Sequence, residues 1–493
     1  MNCIINRRYH ALISPFIVVL LLVLTPYAGA WEPTPIPNWA KDLIIYQLNM
    51  ERFTSPNESQ GPNYKGIIHE PGQDGSGTTS SLYEKIDYLS NLGITAIWIE
   101  SLYWYQSFTK TEHPFGFYPY RPDLPHPRHG SEAELKRLVN YAHQKGIKVF
   151  MGMVPTYIGR KSPLLTAHPD WFFTHLTKGR PLYNYKNEEF RSWWIKTWKN
   201  WAIEIGIDGF RVDGPDFAVQ QDPELIMETL HDIATECLKS GKQIAIFVEG
   251  WKYGYHFRQK WEQDDNLNRL DMESAEKAIA SSSRFDAITV SMHDHHDYKI
   301  QGSRFKMGYS VIFGTRIPIF FMGEEFNARL RIVPDPLEAG DRLFEQWLDW
   351  SDLEDKDRQA FYQDVVKILN IRKNNKDVLN YDRHKSFLKN LKFSISDTDP
   401  APIPYIRYIP GKAAIIIAGN NSTVEKTFLI DVPLEEIGMG EYGLFKTNNL
   451  WTGERKNVRR RDMNKLPVTV SGDNIPRGGI QVLRIEPILS VSE

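Results

Sequence analysis

Short, strongly apolar runs alternate with longer amphipathic stretches through most of the chain. LIIYQL (43–48), AIWIES (96–101), KVFMGMV (148–154), GFRVD (209–213), IAIFVE (244–249), AITVSM (287–292) and IPIFFMG (317–323) have the length and apolar density of buried parallel strands. Between them, YEKIDYLSNLG, SEAELKRLVNYAHQKG, EEFRSWWIKTWKNWAIEIG and the stretch 223–240 space their apolar residues as helices do. A βα repeat sustained this far predicts an α/β fold, a (β/α)8 TIM barrel over residues 31–382. Seven strands are read this way, and the eighth is expected near NRLDME (268–273). The segment 155–187, rich in Pro, His and aromatics, breaks the rhythm after strand 3 and predicts a short inserted lobe at the barrel mouth. From about 383 the pattern becomes strict alternation between turns, as in KTFLID and IQVLRIEP, which predicts a C-terminal antiparallel β-sandwich domain over 383–493.

The first 30 residues follow another rule. A basic stretch, the apolar run LISPFIVVLLLVL and a small-residue end, YAGA, predict a secretory signal peptide cut after Ala30. The run is short for a membrane span, so export to the periplasm or the medium is expected, without stable membrane insertion after cleavage. The mature chain then keeps only Cys237, in a helical pattern, read as a buried small residue. Lys+Arg 59 against Asp+Glu 61 leaves a formal charge of −2, so no large electrostatic excess points to nucleic acid and none is expected as a partner, although a net charge hides local asymmetry.

Charge inside the apolar runs changes the picture. In GIDGFRVDGPDF, Phe210 and Val212 alternate with Arg211 and Asp213, so period-two geometry turns both charges to one face. A buried ion pair adds little stability by itself, which leaves a structural pair or a catalytic one. Functional residues of such barrels gather at the C-terminal strand ends, where Asp213 closes strand 4, Glu249 closes strand 5 and Asp297 follows AITVSM. Like charges on one rim repel, so packing alone does not favour the arrangement. Two carboxyl groups flanking a bond between sugars are what glycoside hydrolysis requires.

Read together, these segments resemble the α-amylase family of glycoside hydrolases over nearly the whole mature chain. GIDGFRVD is similar to the family's Gly-Phe-Arg-x-Asp segment, FVEGW to its acid/base segment and HHD (295–297) to its Asn-His-Asp; PLYNYKNEEFRSWW and IPIFFMGEEF match weaker segments. The resemblance implies Asp213 as nucleophile, Glu249 as acid/base and Asp297 as transition-state stabiliser. It implies substrate contacts from Arg211, His296, Trp251, Phe117, Tyr118 and Tyr157. The implied activity is retaining hydrolysis of α-glucosidic linkages in α-glucans or oligosaccharides, with transglycosylation open, through a glycosyl ester on Asp213.

The departures fall around that centre. Where the family carries Asp-x-x-x-Asn-His after strand 3, this chain has Gly152, Thr156 and Tyr157, poor replacements for the oxygen ligands of a calcium ion, so no cofactor is expected. Asp216 and Phe217 stand where many starch-cleaving members have Lys-His, Phe117 where the family places a Tyr, and His295 where it has Asn. Two other readings stay open. His293, His295 and Asp297 approach a metallo-hydrolase His-x-His pattern, although Tyr298 takes the place of its last His. A glycan-binding protein without turnover could also use this scaffold. Tyr103, Trp104 and Tyr105 are candidate sugar platforms, whereas Trp194, Trp198 and Trp201 have the spacing of a helix core.

Overall fold

The structure, a computed structural model, describes residues 31–50, 53, 82–105, 117–127, 129–177, 180–214, 222–250, 254–259, 272–273, 287–292, 303–329, 331–332, 346–348, 350–381, 385–395, 401–472 and 478–489. The predicted leader lies outside them. Among the described residues no helix is long and apolar enough to cross a membrane.

Eight parallel strands close a barrel: β1 (Ile45–Leu48), β2 (Ala96–Ile99), β3 (Lys148–Met153), β4 (Gly209–Val212), β5 (Ala245–Glu249), β6 (Phe257–Gln259), β7 (Ile288–Met292) and β8 (Ile317–Phe321). Each pairs with the next, and β8 returns to β1 through Ile45 opposite Ile319. Seven of the eight coincide with the apolar runs. The eighth does not: it is Phe257–Gln259, and the described part of 268–273, Met272 and Glu273, is helical. A three-residue strand beginning Phe-Arg-Gln carries too little periodicity to be distinguished from a loop.

Strand alternation divides each strand between two environments. Ile45, Trp98, Phe150, Phe247, Phe257 and Ile319 share one buried cluster that fills the barrel. The alternate residues face the outer helices; Phe210, for example, meets Trp198 edge-on with ring centroids 5.2 Å apart. The outer ring includes α1 (Leu82–Leu92), α2 (Glu132–Gln144), α3 (Glu188–Asn200), α4 (Pro223–Lys239) and α5 (Lys356–Asn374). Their starts are written locally. Ser131 and Glu134 form a reciprocal capping box on α2, Asn187 accepts from the Phe190 amide at 2.9 Å, and Asp222 accepts from the Leu225 amide. Trp194, Trp198 and Trp201 are buried as their spacing predicts, and so is Cys237, whose thiol is pushed up to about 11 by burial.

After β3 the chain makes a single helical turn, Leu164–Ala167, and a hairpin, Phe172–Thr177 with Arg180–Tyr183, before α3 begins. This segment reaches back to the strand-3 end through an isolated bridge between Tyr157 and Leu182. Beyond α5 the chain forms a six-stranded and a three-stranded antiparallel sheet. Ile406, Ala414 and Ile416 of the first and Phe428, Ile430 and Val468 of the second share one core. Arg407 ties this part to the barrel by donating to the Phe313 and Gly314 carbonyls at 3.0 and 2.8 Å.

The β8–β1 seam carries a buried carboxyl. Glu325, just past β8, accepts from the Tyr46 hydroxyl at 3.0 Å and the Tyr88 hydroxyl at 2.8 Å, and Tyr46 in turn accepts from the Gly323 amide. Burial pushes Glu325 from about 4.5 up to about 7 against those hydrogen bonds. A carboxyl whose pKa rises on folding stabilises the fold fully below the unfolded value, and that stability is lost as pH rises through the folded one. Unfolding free energy is therefore expected to fall by about 3 kcal/mol between roughly pH 4.5 and 7 from this group alone. Denaturant titrations of the wild type and Glu325→Gln at pH 4.5 and 8 would check it. An equal pH dependence in both proteins would exclude the seam as its source.

Candidate active site

The C-terminal end of the barrel is polar where its interior is apolar. Arg211 on β4 is buried, lying in register between Gly152 of β3 and Phe247 of β5. Its guanidinium uses all three nitrogens. Nη1 donates to Asp213 at 2.7 Å, Nη2 to Glu249 at 2.5 Å and Nε to Gln259 of β6 at 3.0 Å. The Trp98 ring backs it at 5.0 Å. The other acid of the same sequence stretch, Asp208, serves the opposite end of β4, where it accepts from the Val149 amide at 2.9 Å. Of these two described acids, Asp213 is the one at the rim.

The two carboxyl groups differ in exposure. The Asp213 side chain retains 24 % of its accessible surface, and that of Glu249 4 %. Burial pushes the Glu249 carboxyl well above the usual carboxylate range; the Arg211 charge opposes this, and the charge and hydrogen bond of Asp213 add to it. The backbone amide of Gly214 also donates to Glu249, at 3.2 Å. The outcome is a buried acid that holds its proton more tightly than an ordinary carboxyl, beside a more exposed acid, both tied to one cation. Such an arrangement can deliver a proton and a nucleophile to the same bond.

A third carboxyl at the rim escaped the sequence reading. Glu100 directly follows β2, is buried, and accepts from the Gln47 amide of β1. It adds to the negative field that, against burial, holds Arg211 charged together with Glu249 and Asp213. Gly152 makes room for it. A Cβ there would stand 2.0 Å from the Glu100 carbonyl oxygen and 3.2 Å from its carboxylate, so the strand-3 side chain and the strand-2 backbone exclude each other. The rule that singled out Asp213 and Glu249, charge at a C-terminal strand end, also applies to AIWIE and would have found Glu100.

Tyr118 and Tyr157 lie together, with ring centroids 6.4 Å apart, and Phe117 is half-buried just before Tyr118. Asp213, Glu249 and Arg211 are thus assembled, and Tyr157 lies at the same barrel end, four residues past the β3 terminus whose Met153 carbonyl accepts from the Asp213 amide. Trp251, His296 and Asp297 lie outside the described residues, as do His293, His295, Asp216 and Phe217. Tyr103 and Tyr105 are not platforms. Tyr103 is buried against Trp198 and Tyr105 is buried on His126, which leaves Trp104, half-buried on Tyr120, as the accessible ring of the three.

A sequence model of the α-amylase catalytic domain matches residues 58–164 of this chain. The chain is 24 % identical to a cyclomaltodextrinase of Thermoanaerobacter pseudethanolicus, in an alignment covering 86 % of this chain and 78 % of that one. It is 26 % identical to α-amylase 2 of Dictyoglomus thermophilum over 67 % of this chain and 64 % of that one. Among solved structures, an Anoxybacillus α-amylase superposes with a TM-score of 0.67 at 19 % identity, covering 92 % of this chain and 100 % of that one. The chain is thus similar, in sequence and in fold, to proteins of the α-amylase family.

The segment after β3 carries few side-chain oxygens for a hard cation such as calcium. Gly152 offers no side-chain ligand atom and Thr156 a single hydroxyl. The Tyr157 ring lies 4.4 Å from the Arg180 guanidinium, whose charge opposes a second cation.

Proposed function

We propose that the chain is a retaining glycoside hydrolase that cleaves α-glucosidic linkages in α-glucans or their oligosaccharides. The observation that carries this reading is the Arg211 hub, which holds a buried Glu249, its pKa raised, and a less buried Asp213 on one guanidinium. An inverting pair needs about 6.5–9.5 Å between carboxyl groups to admit a water, whereas a retaining pair works at about 5–5.5 Å. Groups joined through one guanidinium support the closer class.

In this reading Asp213 attacks the anomeric carbon while Glu249 protonates the departing oxygen, giving an α-to-β inverted glycosyl ester and a free sugar. Glu249, now ionised beside Arg211, then takes a proton from the water that attacks the same carbon and restores the α configuration. Asp297 and His296 are proposed to complete the centre from the segment following β7, and Phe117, Tyr118, Tyr157 and Trp251 to contact the sugar. Side chains alone supply the chemistry. The names of the relatives, cyclomaltodextrinase and α-amylase, support cyclic or linear α-glucans as the substrate class. The leader composition supports export of the mature chain.

Proton NMR of the first-formed sugar from β-cyclodextrin, maltotriose and soluble starch tests the reading. An α-anomer appearing first is expected. A β-anomer would overturn double displacement, and no release from any α-glucan would favour the binding role.

A further inference from the structure

Arg180 opens the second strand of the lobe hairpin, opposite Thr177. Its guanidinium carbon lies 4.3 Å from the Tyr118 ring centroid and 4.4 Å from that of Tyr157, so it is wedged in the angle between the two rings. Nη2 donates to the Tyr118 hydroxyl at 2.7 Å. Among the described residues Arg180 makes no ion pair, unlike Arg121, Arg191, Arg304 and Arg484, each of which meets a carboxylate. A planar cation with five N–H donors has therefore spent one of them on a hydroxyl and stacked its faces, while its remaining donors are left for something else.

The place of this wedge is fixed by Tyr157. It lies four residues past the C-terminal end of β3, whose Met153 carbonyl accepts from the Asp213 amide, and it bridges to Leu182 of the lobe hairpin, so the wedge stands at the barrel end that carries Asp213 and Glu249. An anionic ligand here would meet the field of Asp213 and Glu249. A neutral diol would not, and it offers two acceptor oxygens at the spacing of a guanidinium edge.

We propose that Arg180, held by Tyr118 and Tyr157, is a substrate-binding residue that donates paired hydrogen bonds to adjacent hydroxyls of a glucosyl unit beside the cleaved bond. The assignment rests on the glycosidase reading above and adds to it a residue of the inserted lobe. Arg180 touches neither Asp213 nor Glu249, so its work is binding and not bond-making.

Kinetics with maltotriose on the full-length mature protein test it. Arg180→Ala is expected to raise KM about tenfold or more, the scale of a lost charged hydrogen bond, with kcat within about threefold. Arg180→Lys, which keeps the charge but loses the planar fork, is expected to leave KM raised. An unchanged KM in Arg180→Ala, or full recovery in Arg180→Lys, would overturn the proposal. A large drop in melting temperature with unchanged KM would instead assign the wedge to lobe packing and overturn it too. Should the wild type cleave nothing, calorimetric titration of maltotriose separates the two readings. A Kd at least tenfold weaker in Arg180→Ala upholds the contact without turnover, and an equal Kd removes it.

Discussion

Asp213→Asn is expected to lower kcat by at least about four orders of magnitude while leaving the melting temperature within about 2 °C of wild type. The amide has the shape of the carboxylate, and its oxygen can still accept from Arg211 Nη1, so the hub that holds β4, β5 and β6 together survives. What it loses is the anionic oxygen that must bond to the anomeric carbon. The side chain is also the more exposed of the pair, so the substitution alters reactivity more than packing. Initial rates on the best responding α-glucan, with a thermal melt of the same preparation, check both halves. Residual activity above about a tenth of wild type would remove Asp213 from the nucleophile role.

Most of the barrel is legible in the sequence because its strands are buried on both faces. Burial on both faces produces continuous apolar runs with sharp ends, and those ends place Asp213 and Glu249 on the rim without reference to any contact. Arg211 follows from the same logic, since Phe210 and Val212 must face the helices if the strand is to pack at all. The structure bears out this part: Phe210 meets Trp198, and the guanidinium turns inward onto Trp98.

Legibility ends where an element is too short to show a period or where two distant residues trade places. β6 has three residues, so Gln259, the third partner of Arg211, could not be assigned to a strand. The exchange between Gly152 and Glu100 is invisible for a different reason. Read along strand 3 alone, Gly152 is the loss of a carboxylate; read across the β2–β3 pair, it is the space that the Glu100 backbone carbonyl requires, with the Glu100 carboxylate next to it. Arg180 belongs to the same class. Nothing in its local sequence marks it, and its meaning comes from two tyrosines on separate segments. The aromatic run after β2 misled in the opposite direction: Tyr103 and Tyr105 follow a rim strand, but the strand Tyr103–Tyr105 pairs with Pro119–Pro125 and turns both rings into the protein.

Glu249→Gln separates acid catalysis from every other role the site could play. The variant is expected to lose about 10²- to 10⁴-fold in kcat on natural glucans, the scale of a single general acid. On an aryl α-glucoside the first step should be nearly spared, because a nitrophenolate departs without a proton, and an ester on Asp213 should then accumulate and appear as a burst. The pH profile supplies an independent reading. Burial holds the Glu249 proton well above the usual range, so the wild-type kcat/KM should fall on the alkaline side as that proton is lost, and the fall should vanish in the amide. Removing Asp213 gives the converse. Its charge and hydrogen bond both raise Glu249, so any residual activity of Asp213→Asn should show the alkaline limb displaced toward acid. A limb that stays in place in both variants would mean that some other group carries the proton, and the two carboxyl groups on Arg211 would then be a structural pair.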